Sequence, residues 1–362
     1  MSALAAPSGK QLPPKARLEA IAAFCHAVLA AVGAGKETAE AATRAMLHGS
    51  RLGIDSHGIR LLDHYVAALR AGRVNPRPRL RMSAGFGAVA ALDADDGHGA
   101  LATYHAMDCA VELAARFGIG AIGVRNSSHF GPAGAYALAA AEAGCIGIAM
   151  CNSDSFVRLH DGATRFHGTN PIACAVPQEG GKPWLLDMAT SAVPYNRVQL
   201  YKSLGRRLPD KVASDGEGRD TEDPRKVEML APLGADFGFK GAGLAGMVEI
   251  FSAVLTGMRL SFDILPMGGP DLCTPRGMGA FVLALKPDAF TSDERFQDGM
   301  QRYLKELRRS PPRAGAAIMA PGDREWAEAE RREREGVPLD PATVEAFERL
   351  GGRYGIDLPF DR

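Results

Sequence analysis

The chain has 362 residues, 46% of them hydrophobic and 23% charged, which exceeds what one ordinary core serves and lies outside the composition of disordered chains. Lys plus Arg and Asp plus Glu both number 42, so no long-range field draws the chain to nucleic acid or to an anionic membrane, and a small-molecule partner is expected. Cys25, Cys109, Cys145, Cys151, Cys174 and Cys273 form no CxxC pair, which argues against a disulfide framework or structural zinc and suits a reducing cytoplasm.

From Lys15 to Gly72 apolar residues recur at three and four spacings, interrupted at Gly33 and Gly35, and two or three helices are expected. A strand over Gly87 to Asp93 leads through Asp96-Gly97-His98-Gly99 into a helix, Leu101 to Phe117, closed by Gly118. Ile119–Val124, Ile146–Cys151, Ile172–Val176 and Trp184–Met188 are short apolar runs between Gly, Pro and Asn clusters, with a helix over Pro132 to Ala143. They predict the sheet of an α/β core. Ser203 to Asp236 reads as a long excursion, and a helix is expected from near Gly243 to Leu255. A strand, Phe281 to Leu285, and helices over Ser292–Arg309 and Arg324–Gly336 follow. The chain divides into a helical lobe (1–85), an α/β core (86–290) and a helical segment (291–362) that packs back on the first lobe. No leader and no run long enough to span a bilayer is expected.

Two stretches match GxGxxG. Gly118 to Gly123 follows a helix and enters a strand, so a helix cap and close packing explain it better than a dinucleotide fingerprint. Gly241 to Gly246 opens a helix but lacks a preceding strand, leaving helix packing and cofactor contact both open. Asp55-Ser56-His57-Gly58 sets a hydroxyl beside an imidazole at a helix end or tight turn, a pattern that suits proton transfer and equally a capping feature. Adjacent side chains are expected to point apart, unlike the bonded pair of a serine hydrolase. Asn126-Ser-Ser-His129-Phe130-Gly131 sits where a strand yields to a helix, a place that attracts anions. Neither HExxH, a His/Cys ligand cluster nor an Asp-rich calcium loop occurs, so no metal is expected.

In order, Asp55-Ser-His-Gly58, Arg125-Asn-Ser-Ser-His-Phe-Gly131, Gly168-Thr-Asn-Pro-Ile172, Asp187-Met-Ala-Thr-Ser191, Phe239-Lys-Gly-Ala-Gly-Leu-Ala245 and Pro321-Gly-Asp323 resemble the malate/L-lactate dehydrogenase family of the non-Rossmann kind, which includes ureidoglycolate, sulfolactate and diketogulonate oxidoreductases and Δ1-piperideine-2-carboxylate reductases. The resemblance runs from about Lys15 to Gly336. It implies an α/β fold of the L-sulfolactate-dehydrogenase type, with a mixed, mostly antiparallel seven-stranded sheet between helical layers. It further implies a homodimer that holds NAD or NADP near the subunit interface.

By the same resemblance the cofactor contacts His129, Phe130, Gly131, Asn152, Asp187, Met188, Ala189, Thr190, Ser191, Lys240, Gly241, Gly322, Asp323 and Arg324. His57 is the expected general acid/base, oriented by Ser56 and Asp187, with His129 its rival. A small carboxylate substrate would meet Arg60, Tyr65 and Thr169. The family's arginine five residues after the motif serine is replaced here by Leu61, with Arg60 beside it, and its Pro-Trp-Gly-Gly stretch by Arg158-Leu-His160-Asp-Gly162, so Arg158 and His160 are expected to help bind the anion. The reaction expected is hydride transfer between nicotinamide and a 2-oxo/2-hydroxy acid; reduction of cyclic imino acids shares every motif. A silent nucleotide-binding sensor is disfavoured because Ser56, His57, His129, Asp187 and Lys240 are all present.

Overall fold

A computed structural model describes residues 13–83 and 85–361. Its centre is a seven-stranded sheet in the order Arg81–Met82, Val89–Asp93, Ile119–Ser127, Met278–Leu285, Ile146–Cys151, Ile172–Val176, Trp184–Met188. The Val89–Asp93 and Ile119–Ser127 strands run parallel, and every other neighbouring pair is antiparallel. This is the expected mixed, mostly antiparallel sheet.

Helices Gly99–Phe117 and Gly134–Glu142 cover one face of the sheet, and Gly238–Glu249 with its π-helical continuation Ile250–Val254 packs on the other. On the first side Tyr136, Met107, Ile122 and Leu92 are fully enclosed; on the second Val248 and Phe251 meet Met150 and Phe281. Gly118 ends its helix at φ +81°, in the left-handed region that spares a side chain, so this GxGxxG match is the cap it was expected to be.

The helix expected from Gly243 begins at Gly238, so the second GxGxxG match lies inside a helix rather than at its mouth. With the preceding turn it gives a 20-residue stretch, Ala235–Val254, long and apolar enough by length and composition to cross a membrane, contrary to the expectation that none exists. Its apolarity has two sources: Val248 and Ala253 face the sheet, while Met247, Ile250 and Val254 form an outward stripe. The excursion at 203–236 is not structureless. Its Ala213–Ser214 and Met229–Leu230 join Val157–Arg158 and Arg165–His167 in a four-stranded sheet around Val157, Val198, Leu208 and Leu230.

Helices Leu18–Ala31, Lys36–Arg51 and Leu62–Ala71 share a core with Val337, Leu339, Phe347 and Leu350, and the rings of Phe24 and Phe347 lie 4.6 Å apart. A ribbon pairing Lys15–Ala16 with Val337–Pro338 fastens the two ends of the chain. Helix Asp293–Arg309 does not join this core; it lies by Pro287–Ala289 with Leu304 its buried residue.

Candidate active site

Ser56 and His57 sit on a 3-10 turn, Asp55–His57, between two helices of the first lobe. The turn is anchored from the far end of the chain. Both Asp55 carboxylate oxygens accept from the Arg332 guanidinium, which is buried and also donates to Ser50 O at 2.6 Å. Contrary to expectation the neighbouring side chains do meet, with Ser56 Oγ 2.8 Å from His57 Nδ1. The tight turn, unlike an extended strand, lets consecutive side chains fold toward each other. A hydrolase arrangement is still missing, because the serine occupies Nδ1 and no carboxylate is bonded to Nε2 among the described residues.

His129 follows the strand Ile119–Ser127, and its ring stacks with that of His57 at 5.9 Å between centroids and 20° between planes. Its Nδ1 lies 3.0 Å from the Tyr65 hydroxyl. Tyr65, expected at the substrate, is thus buried and engaged with His129, while its ring meets His98 edge-on at 4.3 Å. His98 caps helix Gly99–Phe117 through Nδ1 and leaves Nε2 buried without a partner. The Nε2 atoms of His57 and His129 also lack partners among the described residues, and both residues are half-buried. Burial lowers the pKa of His57 below its ordinary 6.5. His129 lies well below it, through burial first and then the neighbouring His57, His64 and Arg276. Both rings are therefore neutral at neutral pH.

Phe130, expected against a cofactor, turns its ring into the core beside Tyr136, 5.0 Å between centroids, because the helix behind it offers an apolar seat. Gly131, in contrast, faces the Tyr65 hydroxyl. Asp187 accepts from Gly134 N–H at 2.9 Å and has no hydrogen bond to His57, so among the described residues the support of His57 comes from Ser56. Burial raises the Asp187 pKa from 3.8 to about 6 against the opposing Gly134 N–H bond, with Glu325 adding to the rise.

The strand Trp184–Met188 and its extension to Ser191 form a spine for the remaining motif residues. At one end Leu185 N–H donates to Pro321 O at 3.3 Å, which brings up Gly322, Asp323 and Arg324; at the other Leu233 N–H donates to Thr190 O at 2.9 Å. Gly241 packs against Leu233 so closely that a Cβ there would lie 2.1 Å from Leu233 O, a physical reason for glycine that is close approach. Lys240 stands beside it in the first turn of its helix. Its ammonium lies 5.4 Å from the Phe237 ring centroid and has no ion pair among the described residues.

Other expected contacts are already engaged within the protein. Thr190 Oγ1 donates to the carbonyls of Thr169 and Asn170, and Ser191 Oγ to that of Val193. Asp323 accepts from Arg308 at 2.7 Å, and Arg324 pairs with Glu325. Met188 and Ala189 remain half-exposed. Asn152 is fully buried, its amide donating to Glu249 and to Arg259 O. Arg158 is buried and ion-paired with Asp220 at 2.6 Å, and His160 lies against Phe239, so the structure ties neither to the histidines. Arg60 is exposed and Leu61 belongs to the helical core.

Residues 16–348 match the family model described as malate/L-lactate dehydrogenase. The chain belongs to that family. A malate dehydrogenase of Pyrococcus abyssi is 34% identical over 92% of this chain and 93% of its own length. The sulfolactate dehydrogenase of Methanocaldococcus jannaschii superposes with a TM-score of 0.88 at 28% identity, covering 95% of this chain and 98% of that one. A Δ1-piperideine-2-carboxylate reductase from Pseudomonas syringae superposes at 0.83 with 26% identity, over 93% and 99%. As a member of the malate/L-lactate dehydrogenase family the protein is an oxidoreductase, of a family acting on hydroxy acids, and its fold is the sulfolactate-dehydrogenase-like one.

The sequence patterns found Ser56, His57 and His129 but missed Arg332, His64, Arg276 and Glu249. No local motif marks these four, which matter through partners distant along the chain.

Proposed function

We propose that the protein interconverts a small 2-hydroxy acid and its 2-oxo acid, with a nicotinamide dinucleotide as hydride carrier and His57 as the proton carrier. The observation that supports this best is the pair of neutral, stacked histidines, each tied at Nδ1 to a hydroxyl and open at Nε2. In the oxidising direction His57 Nδ1–H donates to Ser56 Oγ, and the Nε2 lone pair takes the substrate hydroxyl's proton as the C–H bond is lost. In reduction the resulting imidazolium returns that proton to the oxygen. Ser56 holds the ring in the one orientation that serves both directions. His57 suits the role better than His129, whose protonation would add a second charge next to Arg276.

The residues present fit a dinucleotide. Lys240 is a cation without an anionic partner among the described residues, at the end of a helix whose Phe237 cap leaves its first N–H groups free of side-chain bonds. Lys240, Gly241 and the half-exposed Met188 and Ala189 would hold it, and a nicotinamide bound there would supply or accept the hydride. The stripe of Met247, Ile250 and Val254, 37%, 57% and 61% exposed, lies on that same helix and supports a homodimer whose interface runs close to the cofactor.

Absorbance of reduced nicotinamide, followed with NADH and NADPH against 2-oxo acids and cyclic imino acids, tests the reading. Turnover of 2-oxo acids is expected; turnover confined to cyclic imino acids would make the protein an imine reductase, and failure to bind either cofactor would overturn both.

A further inference from the structure

An oxidoreductase of this kind needs a cation for its substrate's carboxylate, and the turn after Ser56 does not deliver one: Leu61 is buried in the helical core and Arg60 points to solvent without a hydrogen bond or ion pair among the described residues. A different guanidinium is brought near the histidines by the sheet. Arg276 lies two residues before Met278, which is paired in register with Ser127, so it enters the molecule beside the loop that carries His129.

Its side chain is 1% exposed. Nε donates to Leu265 O at 2.8 Å and Nη2 to the Asp154 carboxylate, while Nη1 is buried with no partner. A second buried guanidinium, Arg73, donates to the carbonyls of Pro266, Met267 and Asp271. The enclosed charges around the 265–271 loop are thus two cations against Asp154, a carboxylate that is itself 30% exposed. A buried cation whose donor lacks a partner is costly, and an incoming anion relieves that cost. Its charge is felt at His129 and at His64, whose ring meets that of His129 edge-on at 6.5 Å.

We propose that Arg276, oriented by Asp154, receives the carboxylate of the substrate through Nη1, in place of the arginine missing from the turn after Ser56. This rests on the reading that a 2-oxo acid is reduced at the histidine cluster. Charge-assisted donation from a planar guanidinium fixes the carboxylate and so sets the neighbouring carbonyl against the proton carrier.

The test compares each 2-oxo acid with its uncharged 2-oxo amide. Loss of one charged hydrogen bond corresponds to roughly 100-fold, so Arg276→Gln is expected to lower kcat/KM for the acid by about that factor, leave the amide within a few fold, and leave NADH affinity unchanged. Because Arg276 also ties the 265–271 loop, Arg276→Lys provides a charged variant for the case in which the glutamine protein does not fold. It should raise KM for the acid about 10-fold with kcat nearly kept, since it retains the charge and loses the fork. Equal losses for acid and amide, in either variant, would make Arg276 structural and overturn the proposal while leaving the functional reading intact. If the wild-type protein binds NADH yet reduces no 2-oxo acid, both fall together.

Discussion

Two buried polar clusters lie in this molecule, and they are built on opposite principles. Glu249, 7% exposed, accepts from Asn152 and Asn170 amides at 3.2 and 2.7 Å and from the Ser261 N–H and hydroxyl, both at 2.6 Å. Four donors surround one carboxylate, so little is left for a ligand to do. In the histidine cluster the His57 and His129 rings are held at Nδ1, their Nε2 atoms have no partner among the described residues, and neither has Arg276 Nη1. Around Glu249 one atom, Asn152 Oδ1, is left without a partner, but the charge itself is met; a network whose charged donor or proton acceptors have no partner is incomplete until something binds.

The comparison fails if substitutions in the two clusters have the same consequence. His57→Ala should lower kcat by about 10²–10⁴-fold while thermal unfolding stays close to wild type, because the ring's catalytic atom supports nothing else. The acid limb of the wild-type oxidation profile should fall below 6.5, since burial lowers the His57 pKa and the neutral base persists into more acid solution. A limb at or above 6.5 would point away from His57.

Glu249→Ala is expected to do the reverse. It strands four donors in a dry interior and should cost about 3 kcal/mol of stability by denaturant titration. What folded protein remains at low temperature should retain most of its kcat. Should Glu249→Ala abolish turnover in a fully folded protein, the cluster would have to be counted as part of the site.

The difference between the clusters also explains what the sequence could show. Ile146–Cys151, Ile172–Val176 and Trp184–Met188 were legible to the residue, because each is a short, mostly apolar run next to Gly, Pro or Asn. Two-residue strands such as Met229–Leu230 carry no period to detect, so their small sheet was invisible. Ser56, His57 and His129 stood out because they sit in short motifs. Glu249 and Arg276 did not, since Asn152 and Glu249 are 97 positions apart and Arg276 and Asp154 are 122 apart. Nor does a sequence show that Asp55 leans on Arg332, 277 positions on. Even adjacency misled: Ser56 and His57 meet only because the chain turns there.

Asp187 gives a subtler contrast, because it is half-buried and has, among the described residues, a single donor, Gly134 N–H. Its pKa rises from 3.8 to about 6, so between those values the folded chain holds a proton that the unfolded chain has released. Stability therefore falls as pH rises through that window, and the whole cost stands above it. Asp187→Asn still accepts from Gly134 but cannot ionise. Its melting temperature should gain on that of the wild type between pH 3.8 and about 6 and then run parallel; a constant offset across the window would mean that Asp187 is not the group titrating.

The smallest effect is expected at Arg158, which the sequence placed at the substrate. Its guanidinium donates to Asp220 at 2.6 Å and Leu159 O at 3.0 Å and, like that of Arg276, buries one nitrogen without a partner, Nε; but it lies in the small sheet rather than among the histidines. Arg158→Ala should thus leave KM for the 2-oxo acid within about twofold and lower stability by about 1–3 kcal/mol, the cost of breaking a largely buried pair whose partner is partly exposed. Arg276→Gln affects the acid far more than the uncharged amide only if its unpartnered Nη1 belongs to the substrate. Both arginines bury one unpartnered nitrogen, so what separates them is place: Arg276 lies beside the loop that carries His129 and Arg158 in the small sheet. A large KM rise at Arg158 would reverse that assignment and move the carboxylate site toward His160 and Phe239.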